Sequence, residues 1–193
     1  MRICVYGAAS AAIDIDYIEK GELLGLKMSE RGHSLVFGGG ANGLMGAVSR
    51  GMRSGGGHIV GVLPRFFEKD AAEQLCDFCD ELIHTDTMRE RKQIMEDRSD
   101  AFIVTPGGIG TFEEFFEILT LKQLCRHNKP VAVYNLNGYY NELNIMMEQA
   151  IRKNFIRRSC LELFKLTDDL NELFEYIETS EKDVYTVKEL KDG

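Results

Sequence analysis

The segment at 101–114 constrains the fold of this chain more than any other. An apolar run, Ala101-Phe102-Ile103-Val104, leads into the turn Pro106-Gly107-Gly108-Ile109-Gly110, and a long helical pattern follows. A strand that ends in a glycine turn before a helix is typical of a phosphate-binding loop, because backbone N–H groups can approach an anion and the helix dipole favours negative charge. Glu114 stands close behind this turn, where an ordinary phosphate site gains nothing from a carboxylate. The pattern therefore predicts an anion site with chemistry beside it.

Strand-like and helical segments alternate along the chain. Nearly continuous apolar runs at 2–7, 34–37, 58–64, 101–105 and 130–135 are separated by helical patterns. This alternation predicts an α/β fold, a Rossmann-like doubly wound parallel sheet with helices on both faces. The carboxyl ends of parallel strands meet at one edge of the sheet, so the turns that follow these strands should line a common crevice. We expect a single domain over 1–180 and a charged C-terminal tail over 181–193.

Charge and composition narrow the function classes. The 193 residues carry a net charge of −8, which disfavours non-specific nucleic-acid binding and requires a local site for any anionic ligand. No stretch approaches the roughly 20 apolar residues that span a bilayer, and the strand-like start lacks a signal-peptide core. The cysteines number five, and reduced thiols are the default for such an odd set. We therefore expect a cytoplasmic protein with no nucleic-acid or membrane partner.

Two further turns at strand ends are candidate ligand contacts. Gly7-Ala8-Ala9-Ser10 follows the first strand, and Ser10 either binds a phosphate or caps the next helix. Gly38-Gly39-Gly40 follows the second strand and opens another helix. Glycines there serve either close helix–sheet packing or close approach of a ligand; three in succession favour the ligand, with Gly39 and Gly40 as contacts. NAD binding is a poor alternative, since the G-x-G-x-x-G match at 38–43 has no acidic residue at the end of the next strand.

A cationic cluster begins the helical segment at 88–98. Met88-Arg89-Glu90-Arg91-Lys92 places three cations at a helix N-terminus, where the dipole prefers anions. Two interpretations stay open: a solvated face balanced by Glu90 and Glu96, or a bound anion. The Cys76-x-x-Cys79 pair lacks the partners that a zinc site or a redox motif needs, and we expect no metal.

Taken together, these motifs resemble the LOG ("lonely guy") family of cytokinin-activating phosphoribohydrolases, whose members are often labelled possible lysine decarboxylases. The resemblance covers about residues 1–178 and is carried by Pro-Gly-Gly-x-Gly-Thr-x-x-Glu at 106–114, Met-x-Glu-Arg-Lys at 88–92, Gly-Gly-Gly…Gly-Leu-Met-Gly at 38–46 and Gly-Val-Leu-Pro at 61–64. It implies a homodimer that hydrolyses the N-glycosidic bond of adenosine 5′-monophosphate (AMP) or N6-prenyl-AMP. The products would be the free base and ribose 5-phosphate, and no metal or organic cofactor is implied.

The resemblance also implies site residues. Arg91 and Glu114 would be catalytic, and substrate contacts would come from Lys92, the turn at 108–111 and Thr120. With the residues singled out above, the candidate substrate contacts are Ser10, Gly39, Gly40, Met88, Lys92, Gly107, Gly108, Ile109, Gly110, Thr111 and Thr120. Two positions depart from the commonest family pattern: the turn at 7–10 stands where many members have Cys-Gly-Ser-Ser, and Arg89 stands where many have histidine.

The chemistry of an N-glycoside suggests a role for each catalytic candidate. The bond breaks through a cationic sugar, which a carboxylate beside the ring stabilises. We expect the helix dipole to keep Glu114 ionised, so that it stabilises this cation, holds the ribose hydroxyls or activates water, and serves poorly as an acid. A guanidinium does not release its proton at neutral pH, so Arg91 would bind the phosphate, orient Glu114 or stabilise the departing base. Two alternatives stay open: a nucleotide-binding or carrier protein of the same fold without hydrolysis, and a broader purine nucleotide nucleosidase.

Overall fold

A computed structural model describes residues 1–70 and 74–180, apart from the side chains at 68–70. Its centre is one parallel sheet whose strands lie in the order β4-β3-β2-β1-β5-β6-β7. The strands are β1 (Arg2–Tyr6), β2 (Ser34–Phe37), β3 (Ile59–Pro64), β4 (Glu81–Thr85), β5 (Ala101–Val104), β6 (Val131–Tyr134) and β7 (Lys165–Thr167). The predicted α/β fold with a doubly wound parallel sheet is confirmed.

Helices cover both faces of the sheet. They are α1 (Ile15–Glu30), α2 (Gly43–Ser54), α3 (Arg65–Asp70), α4 (Met88–Asp97), α5 (Ile109–Gln123), α6 (Asn141–Arg152) and α7 (Leu170–Thr179). Side chains alternate along each strand, so Ile3 and Val5 of β1 pack in one core with α1, α2 and α7. Cys4 and Tyr6 pack in the other core with α4, α5 and α6. The five inner strands β3, β2, β1, β5 and β6 are therefore buried on both faces, which explains their continuous apolar sequences, whereas the edge strands β4 and β7 are partly exposed.

The strand order reverses between β1 and β5. The chain leaves β1 towards β2, and it leaves β5 towards β6, while β1 and β5 pair directly from Ile3↔Ala101 to Tyr6↔Val104. In open α/β sheets this switch point leaves a crevice at the carboxyl ends of the strands, where ligands bind. The glycine turn after β5 and the small-residue turn after β1 both lie at this edge.

The two helices α1 and α2 pack with their backbones in contact. A Cβ added at Gly25 would overlap the carbonyl oxygen of Val48, and one added at Gly51 would overlap that of Glu22. Only glycine fits at such a crossing, because no side chain can be placed between the helices. The stripe of α1 reads irregularly in the sequence because these contacts are made by glycine rather than by large apolar residues.

Two parts of the chain differ from the sequence-based expectations or lie beyond them. The short helix α3 lies in the mixed and charged segment at 65–80, for which the sequence analysis predicts neither a strand nor a helix. The expected tail at 181–193 lies outside the described residues. Within the described ranges, no helix combines the length and apolarity needed to cross a bilayer.

Candidate active site

The turn at 106–110 presents the N-terminus of α5 to the crevice. Gly108 is the N-cap of α5, and it has no side chain that could accept from the N–H groups of the first turn. Both Gly108 and Gly110 face open space, since a Cβ added at either would meet nothing within 4 Å. Ile109 between them is 87% exposed. Free first-turn N–H groups and an open approach make this helix start suited to binding an anion.

Two tyrosines that follow β6 hold this turn in place. The Tyr139 hydroxyl donates to the carbonyl oxygen of Gly107 at 2.6 Å, and the Tyr140 hydroxyl donates to that of Thr105 at 2.8 Å. From inside the turn, Thr111 packs so closely that a Cβ on Gly107 would lie 2.6 Å from the Cβ of Thr111. Sequence reasoning assigned no site role to either tyrosine. The only available signal was their position just after a strand adjacent to β5.

The turn after β1 is joined to the turn after β5. The N–H of Ala8 donates to the Pro106 carbonyl at 3.0 Å, and the N–H of Met45 donates to the Ala8 carbonyl at 3.1 Å. Ser10 lies beside them and accepts from the N–H of Ala12 at 3.2 Å. Ser10 also lines a cavity of about 240 Å³ with Gly107, Gly108 and Tyr139. Both interpretations of Ser10, as a local cap and as a ligand contact, are therefore compatible with its position.

The Arg91 side chain is buried and fixed by backbone carbonyls. Only 6% of the residue is exposed. Its Nε donates to the carbonyl of Val62 at 3.2 Å, and its Nη2 donates to that of Gly38 at 3.2 Å. The guanidinium also lies 5.9 Å from the ring centroid of Phe67, and its Nη1 is 3.8 Å from the Met88 sulfur. Its hydrogen-bonded partners are neutral, so the positive charge of Arg91 remains available to the crevice.

The glycines after β2 have separate structural tasks. Gly38 leaves space for Arg91, because an added Cβ would overlap Nη2 and lie 2.9 Å from Cζ. Gly39 has a φ of +80°, in the region that favours glycine, and its carbonyl accepts from the N–H of Cys76 at 2.9 Å. Gly40 forms an isolated antiparallel bridge with Leu75. These contacts account for the glycine run by backbone geometry, and ligand contact by Gly39 and Gly40 stays a prediction.

The expectation that the helix dipole keeps Glu114 ionised is wrong. Glu114 lies in the second turn of α5, beyond the first turn where the dipole acts, and its side chain is only 11% exposed. Burial raises the pKa of this carboxyl to about 7; Arg91 and Lys92 oppose the rise, while Glu113 and Glu117 add to it. Near neutral pH the carboxyl is therefore close to half protonated, and it can accept or release a proton.

Glu114 and Arg91 face each other across the crevice. The Oε1 atom of Glu114 lies 4.0 Å from Nη1 of Arg91, a separation longer than a hydrogen bond. Arg91 comes from α4 and Glu114 from α5, so the pair joins the two helices that flank β5 in the sequence. The structure thus places both candidate catalytic residues at one point, beside the glycine turn.

The cationic cluster at 88–92 is divided between solvent and the interior: Arg89 and Glu90 are exposed, whereas Arg91 is buried and Lys92 is partly buried. The first turn of α4 is closed by a capping box, in which the Thr87 hydroxyl accepts from the N–H of Glu90 and the Glu90 carboxylate accepts from the N–H of Thr87. Lys92 makes a hydrogen-bonded ion pair with Glu113 and an ion pair with Glu117 at 2.7 Å. A helix start that supplies its own carboxylate does not need a bound anion.

Thr120 lies away from the other candidate residues of the same chain. An α-helix rises 1.5 Å per residue, so Thr120 is roughly 13 Å along the axis from Thr111. It lines a separate cavity of about 180 Å³ that Phe116 and Met147 share. Its inclusion among the substrate contacts is therefore not supported within one protomer. Among the side chains at 1–67 and 74–180, no group of three or more histidine, cysteine or acidic residues could hold a metal ion.

Comparisons with known proteins agree with these motifs. A family model described as "Possible lysine decarboxylase" matches residues 45–177. The probable cytokinin riboside 5′-monophosphate phosphoribohydrolase LOGL5 of Oryza sativa subsp. japonica is 39% identical over 180 residues, or 91% of this chain and 72% of that protein. The cytokinin riboside 5′-monophosphate phosphoribohydrolase LOG1 of Arabidopsis thaliana is 36% identical over 177 residues, or 92% of this chain and 82% of that protein.

A solved structure shows the same fold. The molybdenum cofactor carrier protein of Chlamydomonas reinhardtii superposes with a TM-score of 0.68 at 22% identity, over 92% of this chain and 95% of that chain. At this identity the likeness shows the architecture alone. The family model and the curated relatives carry the assignment, and the chain belongs to the LOG family of possible lysine decarboxylases.

Proposed function

We propose that this protein hydrolyses the N-glycosidic bond of AMP or an N6-substituted AMP, releasing the free base and ribose 5-phosphate. The observation that carries the proposal is the Arg91–Glu114 pair: a buried carboxyl with a pKa of about 7 faces a fixed guanidinium beside an open helix N-terminus. Relatives at 36–39% identity are named phosphoribohydrolases of cytokinin riboside 5′-monophosphates.

The 5′-phosphate would bind at the start of α5. The N–H groups of Gly110 and Thr111 lie in its first turn, and Gly108 leaves the approach open. Glu114 follows one turn later, so a phosphate at the turn would place the ribose near its carboxyl. Phosphate binding would thereby position the glycosidic carbon for reaction. In this way, binding energy from a part of the substrate remote from the reacting bond would contribute to catalysis.

Glu114 would act in its ionised form. The carboxylate faces the cationic sugar that forms as the bond to the base breaks, and it takes a proton from the water that attacks C1′. A pKa of about 7 suits a general base at neutral pH. Arg91 would hold the Glu114 carboxylate in place and stabilise negative charge on the departing base. Overall, water supplies a hydroxyl to C1′ and a hydrogen to the base.

Product analysis tests the activity. The protein is incubated with AMP, N6-isopentenyl-AMP, IMP, GMP and adenosine, and free base is followed by chromatography. We expect base from AMP or its N6-isopentenyl form, and a loss of at least about 10²-fold in rate on Glu114→Gln or Arg91→Ala. The exposed Glu175→Gln on α7 is the matched control. Normal turnover by both active-site variants would contradict the assigned roles.

The same panel separates the alternatives. Release of base from IMP and GMP as well would favour a broader purine nucleotide nucleosidase. Nucleotide binding without release of any base would favour a binding or carrier protein. Equal cleavage of adenosine would refute the phosphate site at α5.

We further propose that the protein acts as a homodimer and in the cytoplasm. The face formed by α5 and α6 exposes Phe116, Ile145 and Met146, and a cavity of about 420 Å³ lies between these helices. Exposed apolar patches of this kind are typical of protein interfaces. Light scattering should show a dimer that Phe116→Asp disrupts and that Ile15→Asp, on α1 in the opposite layer, leaves intact. Cell fractionation tests the proposed location, and we expect the protein in the cytoplasmic fraction.

A further inference from the structure

Lys92 joins the helix of Arg91 to the helix of Glu114. Its ammonium lies between Glu113 and Glu117, hydrogen-bonded to the first and 2.7 Å from the Oε2 atom of the second. The Lys92 side chain is only 11% exposed. One partly buried cation from α4 thus pairs with two carboxylates on successive turns of α5, on either side of Glu114 in the sequence.

We propose that Lys92 is a positioning residue, which acts on Glu114 through Glu113 and Glu117 rather than by binding the nucleotide. The inference rests on the proposed function, because Glu114 is the group whose protonation it controls. It also departs from the substrate contact that the family resemblance implies for Lys92.

The geometry requires a cation at this place. Three carboxylates within five residues of one helix repel one another, and like charges one turn apart destabilise a helix. The ammonium of Lys92 donates to Glu113 and forms an ion pair with Glu117, whose Oε2 atom lies 2.7 Å away. Both carboxylate partners lie on α5, so the ammonium is turned towards that helix and its charge acts on the three glutamates there.

The charges around Glu114 come from three elements. The titratable and charged groups that act on it are Arg91 and Lys92 of α4, Glu113 and Glu117 of α5, and Cys4 and Tyr6 of β1. Burial lowers the pKa of Lys92, but the two glutamates outweigh burial and raise the pKa above its ordinary value. Lys92 thus stays charged at neutral pH and favours the ionised form of Glu114.

Removing the charge of Lys92 tests the proposal. In Lys92→Met, the acids around Glu114 are no longer compensated, so we expect the inflection of the pH profile of kcat to move up by about one unit. Turnover of AMP should fall about tenfold at pH 6 and stay near the wild-type value at pH 8.5. Lys92→Arg should restore the profile, and Lys27→Met, from a similar lysine–glutamate pair on α1, should leave it unchanged.

Substitutions of Glu113 and Glu117 should shift the inflection of the pH profile in the direction opposite to that of Lys92→Met. Glu117→Gln alone should move the inflection down, and adding Glu113→Gln and Glu117→Gln to Lys92→Met should bring it back towards the wild-type value. A direct phosphate contact predicts a different result: a raised KM at every pH, an unmoved inflection, and no rescue by glutamate substitution. That set of results would overturn the proposal.

A titration without substrate makes the test independent of activity. Carbon-13 NMR of labelled glutamate side chains follows the Glu114 carboxyl with pH, and Glu114→Gln assigns its signal. We expect the midpoint of this signal to rise in Lys92→Met and to fall in Glu117→Gln. A midpoint that moves in neither variant would refute the proposal even if AMP is hydrolysed. Shifted midpoints in a protein that hydrolyses no nucleotide would instead refute the proposed function alone.

Discussion

Gly38→Ala should inactivate the protein by displacing Arg91. The added Cβ would overlap Nη2 of Arg91 and lie 2.9 Å from its Cζ. The opposing side of the guanidinium is fixed by the bond from Nε to the Val62 carbonyl, so Arg91 cannot retreat without losing that bond as well. The backbone of Gly38 does not have a positive φ, and alanine is therefore tolerated there by the main chain itself.

The size of the effect follows from the contacts that change. The added Cβ would lie 1.7 Å from Nη2, so the guanidinium must move by roughly 2 Å to reach an ordinary van der Waals distance from the new methyl group. A misplacement of about 1 Å in an active site can cost about 10²-fold in rate, which corresponds to about 2.7 kcal/mol. Loss of the bond from Nη2 to the Gly38 carbonyl adds about 1.5–3 kcal/mol of destabilisation, because this is a hydrogen bond to a charged group.

Steady-state turnover of AMP and thermal unfolding measure these two effects. We expect kcat of Gly38→Ala to fall to about the level of Arg91→Ala, with the fold retained in circular dichroism. Gly56→Ala is the control. Gly56 has a φ of +75° and no neighbour near an added Cβ, so this variant shows the effect of backbone strain without a steric clash. A Gly38→Ala protein with kcat within about threefold of the wild type would refute the role given to the fixed guanidinium.

Three further predictions concern Glu114 and the glycine turn. The kcat for AMP should rise about tenfold per pH unit below pH 7 and level off above it, since the ionised carboxyl is the active form and its pKa is about 7; a fall through pH 7 would instead make Glu114 an acid. Folding raises the pKa of Glu114 from 4.5 to about 7. The protonated carboxyl therefore favours the folded state at low pH, and this stabilisation is lost as the pH rises between these two values. Glu114→Gln should therefore increase the free energy of unfolding at pH 8.5 by on the order of 1–3 kcal/mol, and by less at pH 4.5. Denaturant titrations at the two pH values measure this difference. An equal increase at both pH values would contradict the argument that burial raises the pKa. Tyr139→Phe removes the bond to the Gly107 carbonyl, and it should raise the KM for AMP while costing about 1 kcal/mol of stability; an unchanged KM would show that the turn holds its shape without it.

The fold could be predicted because its signals are local. Each strand of the core is a continuous apolar run, and each glycine turn follows one of these runs, so strand order was the main quantity left open. The helix α3 escaped prediction, because its six residues give no apolar periodicity. The backbone contact between α1 and α2 escaped it too, since the glycines that make it read in the sequence as breaks in a helical stripe.

The site could be predicted in its residues but not in its electrostatics. The motifs at 88–92 and 106–114 indicated Arg91 and Glu114, and both lie in the crevice. The protonation of Glu114 depends on burial under side chains from other elements, which sequence spacing does not report. The same limit applies to Lys92: its partners Glu113 and Glu117 are distant in sequence, so the sequence showed excess positive charge where the structure shows ion pairs.

The backbone contact between α1 and α2 also bears on the order in which the protein folds. Gly25 meets Val48 and Gly51 meets Glu22, so this contact joins neighbouring parts of the first third of the chain. Loops that close over short sequence separations form first, whereas the crevice needs β5 to insert beside β1, across a much longer loop. We therefore expect α1, β2 and α2 to be protected early in pulsed hydrogen exchange, and the pairing of β5 with β1, which completes the crevice, to be protected later. Nascent chains would then remain inactive until the segment at 101–114 has docked.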